Sequence, residues 1–323
     1  MRTTLVTALY LSYAAALRFF DPITRFGPVD EPPLRVTKPL LLVLPGLDGS
    51  GITAWAQYPE LAREYSIRAL SIPADDRTSY EALVGLCAAQ IADARKDGYS
   101  AVVLLGESMG AGIALDVARC EPPTALVLVS PAGQWCTKTW LGRMRVQLLN
   151  LNDTLLGLVV ALTAYQLFDL GMMRTTVQRI LSGEKAPILD TPERTAYAWK
   201  VVQAMPEMFA QPPATLRHRL EQWVVPSIDA GKDLSDLRVP MLLVAGTADL
   251  RVPAADEARR IAAEAPAECR CAIHLVAGAG HAGVTDERID LRALIERWRD
   301  GGGVLSEPEH ESCQQPHERR ALW

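Results

Sequence analysis

The chain has 323 residues, 49% of them hydrophobic, which suffices for one large α/β domain with a sizeable insertion or for two small domains. Its net charge of -5, with no basic stretch, excludes nucleic acid as the expected partner. Six cysteines stand scattered, and their one close pair is a C-x-C that suits neither a zinc site nor a redox pair, so reduced and mostly buried thiols are expected.

The first twenty residues, MRTTLVTALYLSYAAALRFF, hold two arginines and no acid. They are too short and too polar for a membrane span. Three readings stay open: a helix of the mature protein, an organellar targeting segment, or a secretory signal. A Pro-rich linker follows from Pro28 to Pro39. Residues 1–38 are thus set apart from the domain.

Pro39 to Leu44 (PLLLVL) is a continuous apolar run, as a strand covered on both faces requires. It enters Pro45-Gly46-Leu47-Asp48-Gly49-Ser50-Gly51, a loop whose glycines let backbone approach a ligand and which lacks the lysine of a phosphate loop. Tyr65 to Ile72 reads as the next strand. Thr78-Ser79-Tyr80-Glu81 has capping-box spacing with Thr78 as the cap. It predicts a helix from about Ser79 to Lys96 with Leu83, Leu86, Cys87, Gln90 and Ile91 facing inward.

The chain is organised around Ala101 to Leu115, AVVLLGESMGAGIAL. An apolar strand runs into Gly106-Glu107-Ser108-Met109-Gly110 and then into a small-residue helix, the pattern of a nucleophile elbow. A side chain at Gly106 or Gly110 would collide with neighbouring backbone in so sharp a turn. Ser108 is the candidate nucleophile, and the Met109 amide points where an oxyanion forms. Thr124 to Val129 is another buried strand. Alternating strands and helices imply a mostly parallel, doubly wound sheet with its site at the strands' carboxyl ends.

From Gln134 to about Leu237 the rhythm breaks, with room for several helices and no clear strand. A helical cap over residues 134–237 is expected. Within it Thr154 to Phe168 (TLLGLVVALTAYQLF) carries no charge. That is too short to span a bilayer, and it reads either as a helix sandwiched in protein or as an apolar lid touching lipid. Regular structure resumes at Val239 to Gly246, whose end delivers Asp249, the candidate carboxylate. Its rivals Asp229, Asp233 and Asp236 precede the strand and fall at the wrong edge of the sheet. After a helix at Ala254 to Ala263 and a strand at Cys271 to Val276, the loop Ala277-Gly278-Ala279-Gly280 presents His281, the candidate base. Of five histidines only His281 follows a strand's carboxyl end: His218 lies in the cap, His274 within the strand, His310 and His317 in the polar tail. His281 and Asp286 also spell H-x-x-x-x-D, a spacing that glycerolipid acyltransferases use, but its position fits the base role better. Asp290 to Arg299 closes the domain as a helix, and residues 301–323 read as a disordered tail. The core is then 39–133 and 238–300.

The order Ser108, Asp249, His281 resembles that of the α/β-hydrolases. That resemblance implies a second oxyanion amide from the loop after the first long strand, by position Leu47, with Asp48 as the alternative. It calls for no cofactor and no metal. More narrowly, LPGLDGSG, IPADDRTSYEAL, LLGESMGAGIALDVA and VSPAG are similar to the plant and algal family of phytyl ester synthases and diacylglycerol acyltransferase-like proteins. The family resemblance implies a plastid setting, an acyl-lipid or acyl-thioester substrate, and acyl transfer to phytol or diacylglycerol. Many members carry a further acyltransferase-like domain. The expected activity is serine-dependent acyl ester hydrolysis or transfer on lipid-like esters. A hydrolase of small non-lipid esters and a non-catalytic binding protein on the same scaffold are the alternatives.

Overall fold

The computed structural model describes residues 17–26, 36–164, 170–186, 189–209, 211–249, 251–281 and 288–301. The readings made on residues 1–16, the linker at 28–35, Phe168, Asp286, His310, His317, Cys313 and most of the tail fall outside them.

Seven strands form one sheet among the described residues, and the apolar runs account for its centre. Strands β1 (Arg18–Phe20), β2 (Leu40–Leu44), β3 (Ser66–Ser71), β4 (Val102–Glu107), β5 (Ala125–Val129), β6 (Met241–Gly246) and β7 (Ala272–Val276) lie in the order β1-β3-β2-β4-β5-β6-β7. Every residue of β2, β4, β5 and β6 is buried, as central parallel strands packed on both faces must be. All pairings from β3 to β7 are parallel. Only β1 is antiparallel, with Phe19 opposite Leu70 and Phe20 opposite Ala69. Where the sequence allowed a helix or leader through residue 20, Arg18 to Phe20 instead cover the free edge of β3.

Helices pack on both faces of this sheet. On one side lie α1 (Pro22–Phe26), α2 (Tyr58–Leu61) and the closing helix, whose Leu291, Leu294, Ile295 and Trp298 are buried. Helix α3 (Tyr80–Lys96) and α4 (Met109–Cys120) cover the other. The cap of α3 is Ser79, whose hydroxyl accepts from the Ala82 amide at 3.2 Å, and not the expected Thr78. Thr78 is one residue outside because its own amide donates to Asp76 Oδ1 at 2.8 Å in an Asx turn. The described cysteines are free thiols, as expected, but not all of them are buried. Cys87 and Cys269 are buried, Cys136 and Cys271 are half-buried, and Cys120 is exposed at the end of α4.

Between β5 and β6 the described residues form helices joined by turns, with no strand among them. The helices are α5 (Trp135–Lys138), α6 (Trp140–Arg143), α7 (Arg145–Leu149), α8 (Asp153–Ala164), α9 (Leu170–Ser182), α10 (Thr191–Phe209), α11 (Pro213–Arg219) and, after a π turn at Leu220–Val224, α12 (Val225–Ala230). Two further helices, α13 (Ala254–Glu264) and α14 (Leu291–Asp300), flank β7. The insertion is tied to the core by specific bonds: the Tyr197 hydroxyl donates to the Trp55 carbonyl at 2.6 Å, and the Tyr197 ring packs edge-on against Phe26. No described helix is long and apolar enough to cross a membrane.

Candidate active site

Ser108 sits between β4 and α4 with φ 54° and ψ -113°, a conformation that costs a non-glycine residue on the order of 1–3 kcal/mol. The fold holds it there by donating its amide to the Val129 carbonyl on β5 at 2.9 Å. The flanking glycines make the turn possible. A β-carbon on Gly106 would lie 2.4 Å from the Gly110 carbonyl oxygen, and one on Gly110 would lie 2.6 Å from the carbonyl oxygens of Leu44 and Pro45. The second clash shows the loop after β2 pressed against the elbow. A β-carbon on Gly46 would stand in van der Waals contact with the Ser108 β-carbon, at 3.4 Å. The structure thus brings the Gly46-Leu47 loop and the Met109 helix start to the two sides of Ser108.

Two loops at the far end of the sheet deliver the other polar groups. Thr247 donates its amide to Val276 and Ala248 to Ala279, so the loops after β6 and β7 are stitched together by their backbones. Asp249 is 1% exposed at its side chain, and its Oδ1 accepts from the amides of Arg251 and Val252 at 2.8 and 3.1 Å. Its Oδ2 faces His281 Nδ1 at 2.8 Å, while His281 Nε2 faces Ser108 Oγ at 3.1 Å. Burial opposes charge on the imidazole, but the Asp249 hydrogen bond and the charges of Asp249 and Glu107 outweigh burial and Arg251, holding its pKa above the ordinary 6.5. A hydroxyl, an imidazole and a carboxylate therefore stand in one bonded line. Such a line can withdraw a proton from an attacking hydroxyl and stabilise the resulting imidazolium.

Two features at this site escape a reading of the sequence. Glu107, the variable residue of the elbow motif, is buried beneath it and accepts a hydrogen bond from the Thr53 hydroxyl. Burial pushes its carboxyl up to about 7, against the Thr53 bond and with the help of Asp48. The other is Arg219 at the end of α11, 1% exposed, whose guanidinium reaches the carbonyls of Leu47 and Asp48. Neither a lone glutamate in a strand nor an arginine in a helix carries a motif. The side chains the sequence set aside stay away from the line: Asp229 pairs with Lys232, Asp236 with Arg119, and His218 lies edge-on to Trp223. Among the described residues no cluster of side chains is arranged to hold a metal ion.

The pattern of the Alpha/beta hydrolase family matches residues 40–292. Phytyl ester synthase 2, chloroplastic, of Arabidopsis thaliana is 35% identical over 113 residues, which are 33% of this chain and 16% of that protein. Phytyl ester synthase 1, chloroplastic, of the same plant is 30% identical over 122 residues, 36% of this chain and 16% of that protein. The matches thus span about a sixth of the length of these relatives. Among solved structures, the esterase RhEst1 from Rhodococcus sp. ECU1013 superposes with a TM-score of 0.55 at 14% identity, covering 82% of this chain and 91% of that one.

Proposed function

Because the chain belongs to the alpha/beta hydrolase family, we propose that it is a serine-dependent acyl ester hydrolase or acyltransferase acting on lipid-like esters. The observation that carries this reading is the bonded line from Ser108 Oγ through His281 to Asp249. In this reading Ser108 attacks the ester carbonyl while His281 Nε2 takes its proton. Asp249 holds the Nδ1–H tautomer and balances the imidazolium. The negative oxygen of the tetrahedral intermediate is received by the Met109 amide at the start of α4 and by the Leu47 amide. On collapse His281 returns the proton to the departing alcohol or thiol, leaving an acyl-serine. Water or a second alcohol then repeats the sequence in reverse.

The lipid-like substrate class rests on two supports. One is the local similarity to the phytyl ester synthases, whose name gives phytol as the alcohol part of the product. The other is the insertion, where exposed Trp140, Val146, Leu155, Leu158, Leu181 and Trp199 offer apolar surface for an acyl-lipid or for the face of a membrane holding it.

The test is product analysis by mass spectrometry. Wild type and Ser108→Ala are incubated with a galactolipid or acyl-CoA donor plus phytol and diacylglycerol. Serine-dependent phytyl ester or triacylglycerol establishes transfer by this chain alone, and serine-dependent free fatty acid establishes hydrolysis. Products that persist in Ser108→Ala at the wild-type rate overturn the reading.

A further inference from the structure

We propose that Arg219 is a positioning residue of the oxyanion site, a buried clamp that fixes the backbone plane carrying the Asp48 amide and, by holding the Asp48 carbonyl, the plane of the Gly49 amide whose bond to the Gly46 carbonyl sets the Leu47 amide. The inference rests on the acyl-serine reading above and adds to it a residue from the insertion.

A single guanidinium joins three segments. Its Nη1 donates to the Leu47 carbonyl at 3.0 Å, to the Asp48 carbonyl, and to Gln211 Oε1 at 3.0 Å. Its Nη2 donates to the carbonyls of Ile72 at 2.8 Å and Pro73 at 3.0 Å. The loops after β2 and β3 are thereby bound to each other and to the insertion. The guanidinium lies 5.1 Å from the centre of the Trp223 ring, whose own N–H donates to the Thr78 carbonyl at 2.8 Å. Gln211 Nε2 grips the Asp48 carbonyl a second time at 3.0 Å.

The consequence follows from peptide planarity. A carbonyl and the next residue's N–H share one rigid plane and point in opposite directions. Holding the Leu47 oxygen therefore aims the Asp48 N–H. The neighbouring plane is fixed by the loop itself, because the Gly46 carbonyl accepts from the Gly49 amide at 3.0 Å, which aims the Leu47 N–H. Both candidate donors are set before substrate arrives, which is the condition for transition-state stabilisation without reorganisation. Gly49 has the matching form: its φ is +67°, and a β-carbon there would lie 2.6 Å from Nη1. A side chain at this position would be strained by the positive φ and would push the guanidinium from the place it takes against the loop.

Electrostatics support the same role. The hydrogen bonds of Arg219 given above all end on neutral carbonyl oxygens, four of the backbone and one of an amide, and none on a carboxylate. A buried arginine that served only to staple the fold would gain more from a carboxylate partner. Here burial opposes the charge, the carboxylates of Asp48 and Asp76 favour it without receiving one of these hydrogen bonds, and the guanidinium polarises the peptide units it touches, making their opposing N–H groups better donors.

The experiment is steady-state hydrolysis of p-nitrophenyl acyl esters by wild type, Arg219→Lys, Arg219→Ala and Gln211→Ala, with melting temperatures and the rate of Ser108 labelling by a fluorophosphonate. Lysine keeps the charge but cannot span two loops. Arg219→Lys is expected to lower kcat about 10²-fold with KM within threefold, and to slow labelling in the same proportion, since phosphonylation also builds a negative oxygen. Added guanidinium ion partly restores kcat in Arg219→Ala. Unchanged kcat with a lowered melting temperature makes the clamp structural only and overturns the proposal. Should the Arg219 variants not fold, Gln211→Ala decides, with kcat about tenfold lower expected and an unchanged kcat overturning the proposal. A wild type with no Ser108-dependent turnover or labelling refutes the acyl-serine reading itself, whereas an active wild type with a kinetically normal Arg219→Lys refutes only the clamp.

Discussion

Asp249 holds His281 through one carboxylate oxygen at 2.8 Å and commits its other oxygen to the amides of Arg251 and Val252. The carboxylate is thus locked from behind before it orients the ring. Replacing it by Asn removes the charge that balances an imidazolium and can present an N–H where the tautomer needs an acceptor. Asp249→Asn is expected to lower kcat by about 10⁴, with KM little changed. Initial rates against ester concentration check this, and a loss below tenfold contradicts the role.

Glu107 gives a pH signature of two kinds. Its charge raises the His281 pKa, which lies above 6.5, and in the proposed mechanism His281 must be neutral to take the proton of Ser108. The acidic limb of kcat/KM is therefore expected above pH 6.5, and Glu107→Gln, which can still accept from Thr53, should shift it to lower pH. An unmoved limb in that variant removes Glu107 from the coupling.

The same group should tune stability. Its folded pKa of about 7 exceeds the 4.5 of an ordinary glutamate, so the folded state keeps a proton that the unfolded chain releases. The contribution is fully present below pH 4.5 and is lost as pH rises through 7, by on the order of 3 kcal/mol. Urea unfolding at pH 5 and pH 8 is expected to show this loss in wild type and a smaller one in Glu107→Gln. Equal losses in both would falsify the assignment.

How far the sequence disclosed all this depends on where each signal resides. Ser108, Asp249 and His281 each follow the carboxyl end of a strand, so a local pattern of apolar run, glycine and polar residue marks them even though His281 lies 173 residues from Ser108. Arg219 has no such mark. Four of its five hydrogen-bond partners are backbone carbonyls, up to 172 residues away, and a carbonyl is the same in every residue type. The strand β1 was hidden for a related reason, being three residues that pair only because β3 offers an edge. The displaced cap of α3 shows two local signals in competition, with the Asx turn at Asp76 taking Thr78 and leaving Ser79 to cap.

Gly110 tests the packing under the elbow. A β-carbon there would fall 2.6 Å from two backbone oxygens that cannot move without shifting β2. Gly110→Ala is expected to cost about 1–3 kcal/mol or more in stability and to displace the Leu47 loop. The urea midpoint reports the first effect and ester turnover the second. A variant with wild-type midpoint and turnover shows that the two segments are not in close contact.

The apolar surface of the insertion supplies the last expectation. Among the described residues the large hydrophobic side chains that stand exposed all fall between Trp140 and Val202, with Trp140 70% and Trp199 64% exposed. Lys138, Arg143 and Arg145 lie within five residues of Trp140 along a stretch, 122–152, that contains no acid. An exposed indole in a segment that carries cations and no acid suits the boundary between acyl chains and anionic headgroups. Burying such a ring is worth about 1.5–3 kcal/mol, which is roughly tenfold or more in partitioning. Co-sedimentation with vesicles of neutral and anionic galactolipid or phospholipid is expected to retain wild type, and Trp140→Ala with Trp199→Ala to reduce that binding at least tenfold. Turnover of a water-soluble p-nitrophenyl ester should be unchanged in the double variant, because neither ring touches the bonded line of Ser108, His281 and Asp249. Equal sedimentation of wild type and variant assigns the exposed rings to some other partner and leaves the membrane without a contact on this face.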